Sequence, residues 1–505
     1  MSATGDAGEP RGPVLLEGAP SADRPSRTDP ARQPRRAGWL SPLLLRLHFY
    51  AGVFVGPFVL VAAASGALYA LTPQIEQAVY DHELHAPAGV SQLALREQIL
   101  AADAYVGPDE QLVAVRPAPE PGDTTRVMYA GDALGASETR AIFVDPATAE
   151  IRGDLTAYGT SGALPVRTWV TQLHRSLHLG EPGRLYSELA ASWLGVVAVA
   201  GLGLWGTQRW RARRKKTQLK KSQRKTARRP AATGPGYART RSRHTTTGLW
   251  VLGVALFLSA TGITWSEHGG GNVSDLRAAV GWTTPAVSTD LSGAGGDAPD
   301  EHAGHHGGAP AGTVATTDVS RGAFDSVLAI AQDVNVDTGL VEIRPPTEAG
   351  SAWVVQEIQR SYPTEVDAVA IDGQTMKVVD RVDFDDFSLV AKLSRWGIDL
   401  HMGSMFGLAN QLVLFVAGSA IAAMVVWGYV MWWQRRPRRG TRRVGKPPER
   451  GVLRRTPWWA TLLALLGAAA LGTFLPLLGL TLAAFLVGDA LVGLRGASRR
   501  DVPVR

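Results

Sequence analysis

Long uncharged stretches constrain this chain more than any other feature of its sequence. Residues 49–71 contain no charged side chain, and neither do residues 189–206, 245–265 and 403–433. A helix needs about 20 apolar residues to cross the hydrocarbon core of a bilayer, so each stretch predicts one transmembrane helix. The sequence therefore predicts a membrane protein, with the lipid bilayer as its first partner.

A fifth apolar stretch, residues 457–494, is long enough for two helices. It contains one acidic residue, Asp489, and a proline at position 476. A break between Gly472 and Pro476 would let the chain turn back, which predicts a C-terminal transmembrane hairpin. The expected fold class is a membrane α-helical bundle in which this hairpin follows four core transmembrane helices, at residues 39–72, 187–208, 244–266 and 403–434.

Basic residues indicate how these helices are oriented. Residues 209–243 hold fifteen Lys or Arg and no acid, and residues 435–456 hold ten basic residues against Glu449. Short loops rich in Lys and Arg stay in the cytoplasm. The segments 73–186 and 267–402 are therefore expected outside, in a multi-pass protein of the plasma (inner) membrane.

Both ends of the chain are expected in the cytoplasm. Residues 1–38 are rich in Pro, Gly, Ala and Arg, which predicts a disordered tail, and residues 495–505 form a short second tail. A nucleic-acid site would need a folded basic face with stacking aromatic residues, and the basic runs offer none. No nucleic-acid partner is expected.

Two halves of the sequence repeat each other at fixed intervals. In the first span of each half, a histidine is followed by a glycine. Further along the same span, a hydroxyl residue stands directly before a second glycine. The matching residues are His48, Gly52, Ser65 and Gly66 in one half, and His244, Gly248, Thr261 and Gly262 in the other. The second spans follow Trp169 and His174 in one half, and Trp396 and His401 in the other. Equal intervals at several positions predict an internal duplication.

The two outer segments also resemble each other. Residues 142–151 and 369–378 share an Asp-x2-Thr-x2 turn that ends in Ile or Val, with apolar residues on both sides. Apolar runs that flank such a turn are typical of a β-hairpin. Each outer segment is therefore expected to form an α+β domain, which makes two such domains.

Four histidines occupy matching positions in the two halves. His48 and His244 are expected at the cytoplasmic ends of their helices, and His174 and His401 at the external ends. The chain has no cysteine, which excludes thiolate zinc sites, cysteine-held iron–sulfur clusters and c-type haem. Two imidazoles at each level suit bis-histidine ligation of a b-type haem, so two haems b are expected.

Two glycines support this interpretation, and several alternatives stay open. Gly52 and Gly248 lie one helical turn after their histidines, where a missing side chain leaves room for a flat macrocycle. His178 lies four residues after His174, would share its helix face, and is the alternative ligand at that level. A bare metal site, a proton relay or a purely structural role also stays open for the four histidines.

A second histidine group has no counterpart in the first half. His302, His305 and His306 lie in a stretch rich in Gly and Ala within the segment 267–402. Histidines and carboxylates in such a stretch predict a weak site for a transition metal. The alternative is a solvated insertion without a specific ligand.

Four runs carry a resemblance to a known family, namely Leu45-x-Leu47-His48, Leu173-His174-Arg175-Ser176-Leu177-His178-Leu179-Gly180-Glu181-Pro182-Gly183-Arg184, His244-x3-Gly248-Leu249-Trp250 and Asp399-Leu400-His401-x5-Gly407-Leu408-x-Asn410-Gln411. Over about residues 38–440 the chain resembles the PepSY-associated transmembrane proteins. These are bacterial inner-membrane proteins with extracytoplasmic PepSY domains. The resemblance implies PepSY-like domains at residues 73–186 and 267–402.

Family members of similar plan include inner-membrane ferric-siderophore reductases, in which paired histidines hold two b haems. Their histidines fall on His48, His174, His244 and His401 of this sequence. The resemblance therefore implies electron transfer from an unknown donor to a ferric siderophore or another extracytoplasmic ferric complex. The alternative is a non-enzymatic membrane module whose PepSY domains bind a peptide, a protease or a metal. A third reading is a metal-responsive scaffold that uses the histidines at 302–306.

Overall fold

The computed structural model describes residues 40–89, 91–219, 235–292, 320–435, 448 and 457–498. The tail expected at residues 1–38 and the stretch with His302, His305 and His306 lie outside these described residues. Within the described ranges the helices are α1 Leu40–Phe54, α2 Gly56–Tyr69, α3 Thr72–Val79, α4 Asp81–Leu84, α5 Leu95–Val106, α6 Pro165–Ser176, α7 Glu181–Leu219, α8 Pro235–Trp250, α9 Leu252–Thr264, α10 His268–Ala279, α11 Ala323–Val334, α12 Leu389–Met402, α13 Gly407–Gln434, α14 Trp458–Phe474 and α15 Pro476–Ser498.

Two of these helices are long and apolar enough to cross a membrane, over Glu181–Arg214 of α7 and over all of α13. The pairs α1–α2 and α8–α9 meet the same criteria only as pairs, because they bend by 64° and 63°. The described residues therefore contain two such helices, or four if each bent pair is one span. The spans expected as single helices at 39–72 and 244–266 are each broken in the middle.

Both breaks fall at equivalent positions of the repeat, Val55 and Val251. Next to the first break, Pro57 has no N–H to donate to the carbonyl of Val53, and its ring also crowds that carbonyl. The hydroxyl of Tyr429 donates to the Val53 oxygen at 2.6 Å instead. In the second half, Gly253 stands where the first half has proline, and glycine is also a poor helix former.

The C-terminal stretch forms two shorter apolar helices that pack against each other. α14 ends at Phe474 and α15 begins at Pro476, so the turn lies where the proline predicts it. Gly472 and Gly479 meet so closely that a side chain on either residue would clash with the other backbone. The hairpin is thus present in the described residues, while its crossing of a membrane stays a prediction.

The outer segments contribute strands to one antiparallel sheet. The strands are β1 Gln111–Arg116, β2 Thr125–Ala130, β3 Glu138–Val144, β4 Ile151–Tyr158, β5 Val341–Arg344, β6 Trp353–Glu357, β7 Ala368–Asp372 and β8 Lys377–Val382. Their order in the sheet is β4-β3-β2-β1-β5-β6-β7-β8. The two predicted hairpins are β3–β4 and β7–β8.

The halves meet in the middle of this sheet, where Val115 of β1 pairs with Ile343 of β5. The sequence predicts two outer domains, and the structure joins their strands edge to edge in one sheet. Pairing β1 with β5 gives each half a neighbour for the strand that would otherwise be an exposed sheet edge. The two outer segments therefore form one sheet of eight strands.

Different elements pack on the two faces of the sheet. On one face α5 and α11 pack over the strands, and Ile99 and Phe324 are completely buried there. On the other face Met128 and Phe143 pack against Leu164, which directly precedes α6. Side chains alternate between the two faces along a strand, so every second strand residue points to this second face. Those residues lie near the helices of the apolar bundle.

Candidate functional site

His48 and His244 lie together where α1 meets α8. Their ring centroids are 6.1 Å apart and their planes are nearly perpendicular, at 83°. We call them the first histidine pair. They come from equivalent positions of the two halves, so the repeat that is visible in the sequence becomes a local pseudo-twofold arrangement of two imidazoles.

Each ring of the first histidine pair is held by a backbone carbonyl. The Nδ1 atom of His48 lies 3.0 Å from the oxygen of Val197, and the Nδ1 atom of His244 lies 3.0 Å from the oxygen of Met424. A carbonyl oxygen only accepts a hydrogen bond, so Nδ1 carries the proton in both rings. Nε2 is then the nitrogen with the free lone pair, as in a metal-binding imidazole.

His174 is held in a similar way by a hydroxyl group. It lies on α6, and its Nδ1 atom is 3.0 Å from Ser65 Oγ on α2. The Ser65 hydroxyl has one proton and donates it to the carbonyl of Val61 at 2.7 Å. With that proton placed on Val61, Ser65 accepts from His174 Nδ1–H, and Nε2 again has the free lone pair.

His401 repeats this arrangement in the second half. Its Nδ1 atom lies 2.5 Å from Thr261 Oγ1 on α9, and Thr261 donates to the carbonyl of Phe257 at 2.9 Å. Thr261 is the hydroxyl residue that matches Ser65 in the repeat. The same argument therefore places the proton of His401 on Nδ1.

His174 and His401 form the second histidine pair. Burial, with a smaller contribution from the neighbouring His174, lowers the pKa of His401 to about 3. Burial also lowers the pKa of His174. Both rings are therefore neutral at physiological pH, the form in which an imidazole nitrogen binds a metal.

Backbone contacts near the second histidine pair fix the ends of α6 and α12. Tyr186 donates its hydroxyl proton to the carbonyl of His174 at 2.6 Å. Asn410 donates from Nδ2 to the carbonyl of Leu400 at 3.0 Å. No pattern in the sequence identifies Tyr186, whereas Asn410 stands out as a polar residue near the start of an apolar helix.

Glycines allow the rings to lie against helix backbones. A side chain at Gly66 would come within 3.1 Å of the His174 ring, and one at Gly201 within 3.2 Å of the His48 ring. Beside Gly52 there is open space, whereas a side chain at Gly248 would meet the end of the flexible Met424 side chain. Gly201 lies at the same interval after His174 as Gly428 does after His401, so the repeat also marks this glycine.

His178 lies elsewhere. α6 ends at Ser176, and both Leu177 and His178 have positive φ, so His178 is not on the helix face of His174. It is exposed and its ring lies 5.0 Å from that of Trp169. Of the two alternatives, His174 is the one that the fold brings together with His401.

A group of acidic residues lies on the far half of the sheet. Carboxylate oxygens of Glu357, Glu365 and Asp367 approach one another within 4.8 Å. The buried Glu357 carboxylate accepts from the backbone N–H groups of Asp337 and Thr338 at 2.8 Å. Backbone hydrogen bonds therefore account for Glu357 without a ligand.

The donor chemistry of the four histidines suits ligation of haem iron by paired imidazoles. The rings of the first histidine pair are also close together, with their centroids 6.1 Å apart. The free Nε2 atoms and the neutral second histidine pair supply the donor chemistry that haem iron accepts from proteins.

Comparison with known proteins identifies the family of this chain. No curated protein matches the chain. The sequence family described as the PepSY-associated TM region matches residues 45–435, a range that includes all four histidines and both sets of strands. Since the match covers most of the chain, this membrane protein belongs to the family of the PepSY-associated TM region.

Proposed function

We propose that this chain is a di-haem b membrane protein that carries electrons outward to an extracytoplasmic ferric complex. The first histidine pair would hold the inner haem and the second histidine pair the outer haem. The substrate would be a ferric siderophore or another chelate of Fe³⁺.

One observation carries the proposal. Each of the four histidines has its Nδ1 atom within 3.0 Å of an oxygen on a neighbouring element, which leaves Nε2 available as the ligand nitrogen. Metal-bound histidines use such a partner to fix the tautomer and orientation of the ring.

The residues of the chain would bind, orient and insulate the haems. When bound, haem b supplies reversible one-electron chemistry at its iron. The histidines would hold it from both sides, and their oxygen partners would keep the rings from rotating. Gly66 and Gly201 would let the histidine rings pack directly against the helix backbones.

Reduction is a sensible way to release iron from an external chelate. Hard oxygen ligands bind the more highly charged Fe³⁺ ion better than Fe²⁺, so one electron weakens the complex. For this purpose the sheet would face the outside, and the basic stretches at 209–243 and 435–456 would lie in the cytoplasm with both termini. The protein would then sit in the plasma membrane as a multi-pass protein.

The test uses the purified full-length chain in sealed lipid vesicles. Dithionite is trapped inside, and ferric citrate with a ferrous-iron dye is added outside. The wild-type protein is expected to form the dye complex well above the leak of protein-free vesicles. His48→Ala and His401→Ala are expected to lower this rate at least tenfold, whereas His178→Ala is expected to keep it.

A rate equal to the leak in wild-type vesicles that contain haem would contradict reduction of ferric iron by this protein. If the wild-type chain contains no haem, the alternative gains support. The protein would then be a non-enzymatic membrane module whose extracytoplasmic part binds a peptide, a protease or a metal.

A further inference from the structure

Five arginines cluster between the sheet and the helices that carry the second histidine pair. We call them the arginine cluster, and they are Arg116 on β1, Arg126 on β2, Arg167 on α6, Arg360 after β6 and Arg395 on α12. The loop before α6 connects three of them. Arg116 Nη2 donates to the Thr160 carbonyl at 2.9 Å, Arg360 Nη2 donates to Thr160 Oγ1 at 3.0 Å, and Arg126 Nη1 donates to the Gly162 carbonyl at 3.4 Å.

Three arginines of the cluster have carboxylate partners. The ion pairs are Arg116 with Glu342 at 2.6 Å, Arg395 with Asp399 at 3.1 Å, and Arg167 with Glu76. Asp399 is completely buried and Glu76 nearly so. These pairs are of the kind that persists inside proteins, because each charge faces its opposite with hydrogen bonds between them.

Arg126 and Arg360 form no ion pair within the described part of the chain. Besides the loop before α6, Arg126 contacts the Phe143 ring at 5.2 Å, and Arg360 contacts Met402 Sδ at 3.6 Å. Burial, with a further contribution from neighbouring arginines, lowers the pKa of each to about 10. Both guanidinium groups are still charged at neutral pH, so the cluster has two more positive charges than its paired carboxylates neutralise.

The position of this excess charge connects it to the second histidine pair. Arg360 touches Met402, which directly follows His401, and Arg395 lies on the same helix as His401. Arg167 lies on α6, the helix of His174. An anion that bound Arg126 and Arg360 would therefore sit between the sheet and the proposed outer haem.

We propose that the arginine cluster is a binding site for a carboxylate-bearing anion next to the second histidine pair. Arg126 and Arg360 are half-buried, so a counter-charge would stabilise them, and the planar guanidinium fork matches a carboxylate with two parallel hydrogen bonds. Two sources can supply such carboxylates. One is the propionate groups of a haem held by the second histidine pair, which rests on the proposed function, and the other is an external anionic chelate.

The experiment measures binding of citrate, an iron-free tricarboxylate, to the full-length protein by calorimetry, with and without haem. Arg126→Gln and Arg360→Gln are each expected to weaken citrate binding at least tenfold. Arg381→Gln is the matched control, because Arg381 on β8 is 53% exposed and pairs with Asp383, which directly follows that strand. Arg360→Lys retains the charge and is expected to recover part of the affinity even if Arg360→Gln folds poorly.

The two sources give different results. If the external chelate is the ligand, citrate binds the haem-loaded protein and this binding depends on Arg360. If haem propionates are the ligand, citrate binds only the haem-free protein, and Arg360→Gln speeds the loss of haem at least tenfold. The proposal is overturned if both glutamine variants stay within twofold of the Arg381→Gln control in citrate affinity and in haem loss.

Failure of the proposed function is distinguishable from failure of this inference. A chain that takes up no haem contradicts the electron-transfer role. Citrate binding to that haem-free chain, and its dependence on Arg126 and Arg360, still decides whether the arginine cluster is an anion site.

Discussion

At the scale of single residues, the oxygen partners of the histidines decide what the rings can bind. Val197 and Met424 accept from the first histidine pair, and Ser65 and Thr261 accept from the second. An imidazole whose Nδ1 proton is engaged in this way presents one nitrogen lone pair in one orientation. The tautomer and the orientation are thus set before any ligand binds.

Thr261→Val tests the role of the oxygen partner. Valine has nearly the same shape but cannot accept from His401 Nδ1–H, so the ring can rotate and change tautomer. We expect haem affinity at the second histidine pair to fall by about 10- to 100-fold, the usual effect of losing such a partner. Transfer of haem to apomyoglobin measures the change.

Thr473→Val is the matched control, because the Thr473 hydroxyl on α14 donates only to carbonyls of its own helix, at 2.7 and 3.2 Å. Equal haem loss from the two valine variants would show that the Thr261 hydroxyl does not hold His401.

Glu365→Gln tests electrostatic repulsion in the acidic group. Burial and the nearby Glu357 raise the pKa of Glu365 above its ordinary value of 4.5. The folded protein therefore holds this proton more tightly than the unfolded chain, and stability falls as the pH rises from 4.5 through the raised pKa. We expect the variant to melt at a higher temperature than wild type at pH 7, and at an equal temperature at pH 4.

The control for this prediction is Glu348→Gln, since Glu348 lies in an exposed turn of the same half of the sheet. An advantage of Glu365→Gln that persisted unchanged at pH 4 would mean that repulsion is not its cause.

The sequence predicts the histidines at this scale but not all of their partners. Equal intervals identify His48, His174, His244 and His401 without any knowledge of the fold. Ser65 and Thr261 also stand out, because both are hydroxyl residues at one position of the repeat. Val197 and Met424 could not be found, since each offers a backbone carbonyl that every residue type has.

At the scale of elements, the bends in α1–α2 and α8–α9 shape the bundle. The first bend leaves the Val53 carbonyl without a helical donor, and Tyr429 from α13 supplies a proton. The hydroxyl of one helix thus completes the backbone hydrogen bonding of another. This contact ties α13 to the bend, and α13 and α2 pack side by side.

A double-mutant cycle tests this contact. Tyr429→Phe leaves the Val53 carbonyl unpaired, and we expect it to lower the free energy of unfolding by about 0.5–1.5 kcal/mol. In a Pro57→Ala background the restored N–H can bond to Val53, so the same substitution should cost much less. Unfolding in mixed micelles of rising SDS content measures both. Equal costs in the two backgrounds would contradict the role of Tyr429.

The sequence clearly indicates only the first of the two bends. Pro57 predicts a disturbance in the first helix, because proline removes a backbone donor. The second break at Val251 has no proline beside it, and Gly253, although a poor helix former, does not by itself specify a bend. The sequence therefore indicates the first break more clearly than the second, although the two positions are equivalent in the repeat.

At the scale of the whole molecule, the sheet joins the two halves into one structure. Besides the β1–β5 pairing, Asp325 of α11 accepts from the backbone N–H groups of Leu95 and Arg96 at the start of α5. Arg116 on β1 and Glu342 on β5 pair across the junction. The halves therefore share a hydrophobic core, a helix cap and an ion pair.

Phe324→Ala tests whether the halves unfold together. Phe324 is completely buried in the second half and packs edge-on against Trp353 at 4.8 Å. Removing it should cost about 3–5 kcal/mol. We expect faster amide hydrogen exchange in β1–β4 as well as in β5–β8, because the two sets of strands share one core.

Val378→Ala on β8 serves as the control, since Val378 is 40% exposed and lies at the far edge of the sheet. Unchanged exchange in β1–β4 of the Phe324→Ala protein would mean that the halves are independent domains.

The sequence predicts the parts of this architecture better than their connection. The turns at 142–151 and 369–378 identify two hairpins, because hairpin pairing is local. The pairing of Val115 with Ile343 joins residues from distant parts of the chain, and no local pattern specifies it. A duplicated sequence is equally consistent with two separate domains and with one joined sheet.

The central claim is that each histidine pair holds one haem b, and the haem content of the purified full-length protein tests it most directly. After expression in a haem-replete host, pyridine haemochrome analysis should give two haems b per chain. His48→Ala and His401→Ala should each reduce this to about one, while His178→Ala should leave two. A wild-type protein without haem, or a haem content that neither His48→Ala nor His401→Ala changes, would contradict the account.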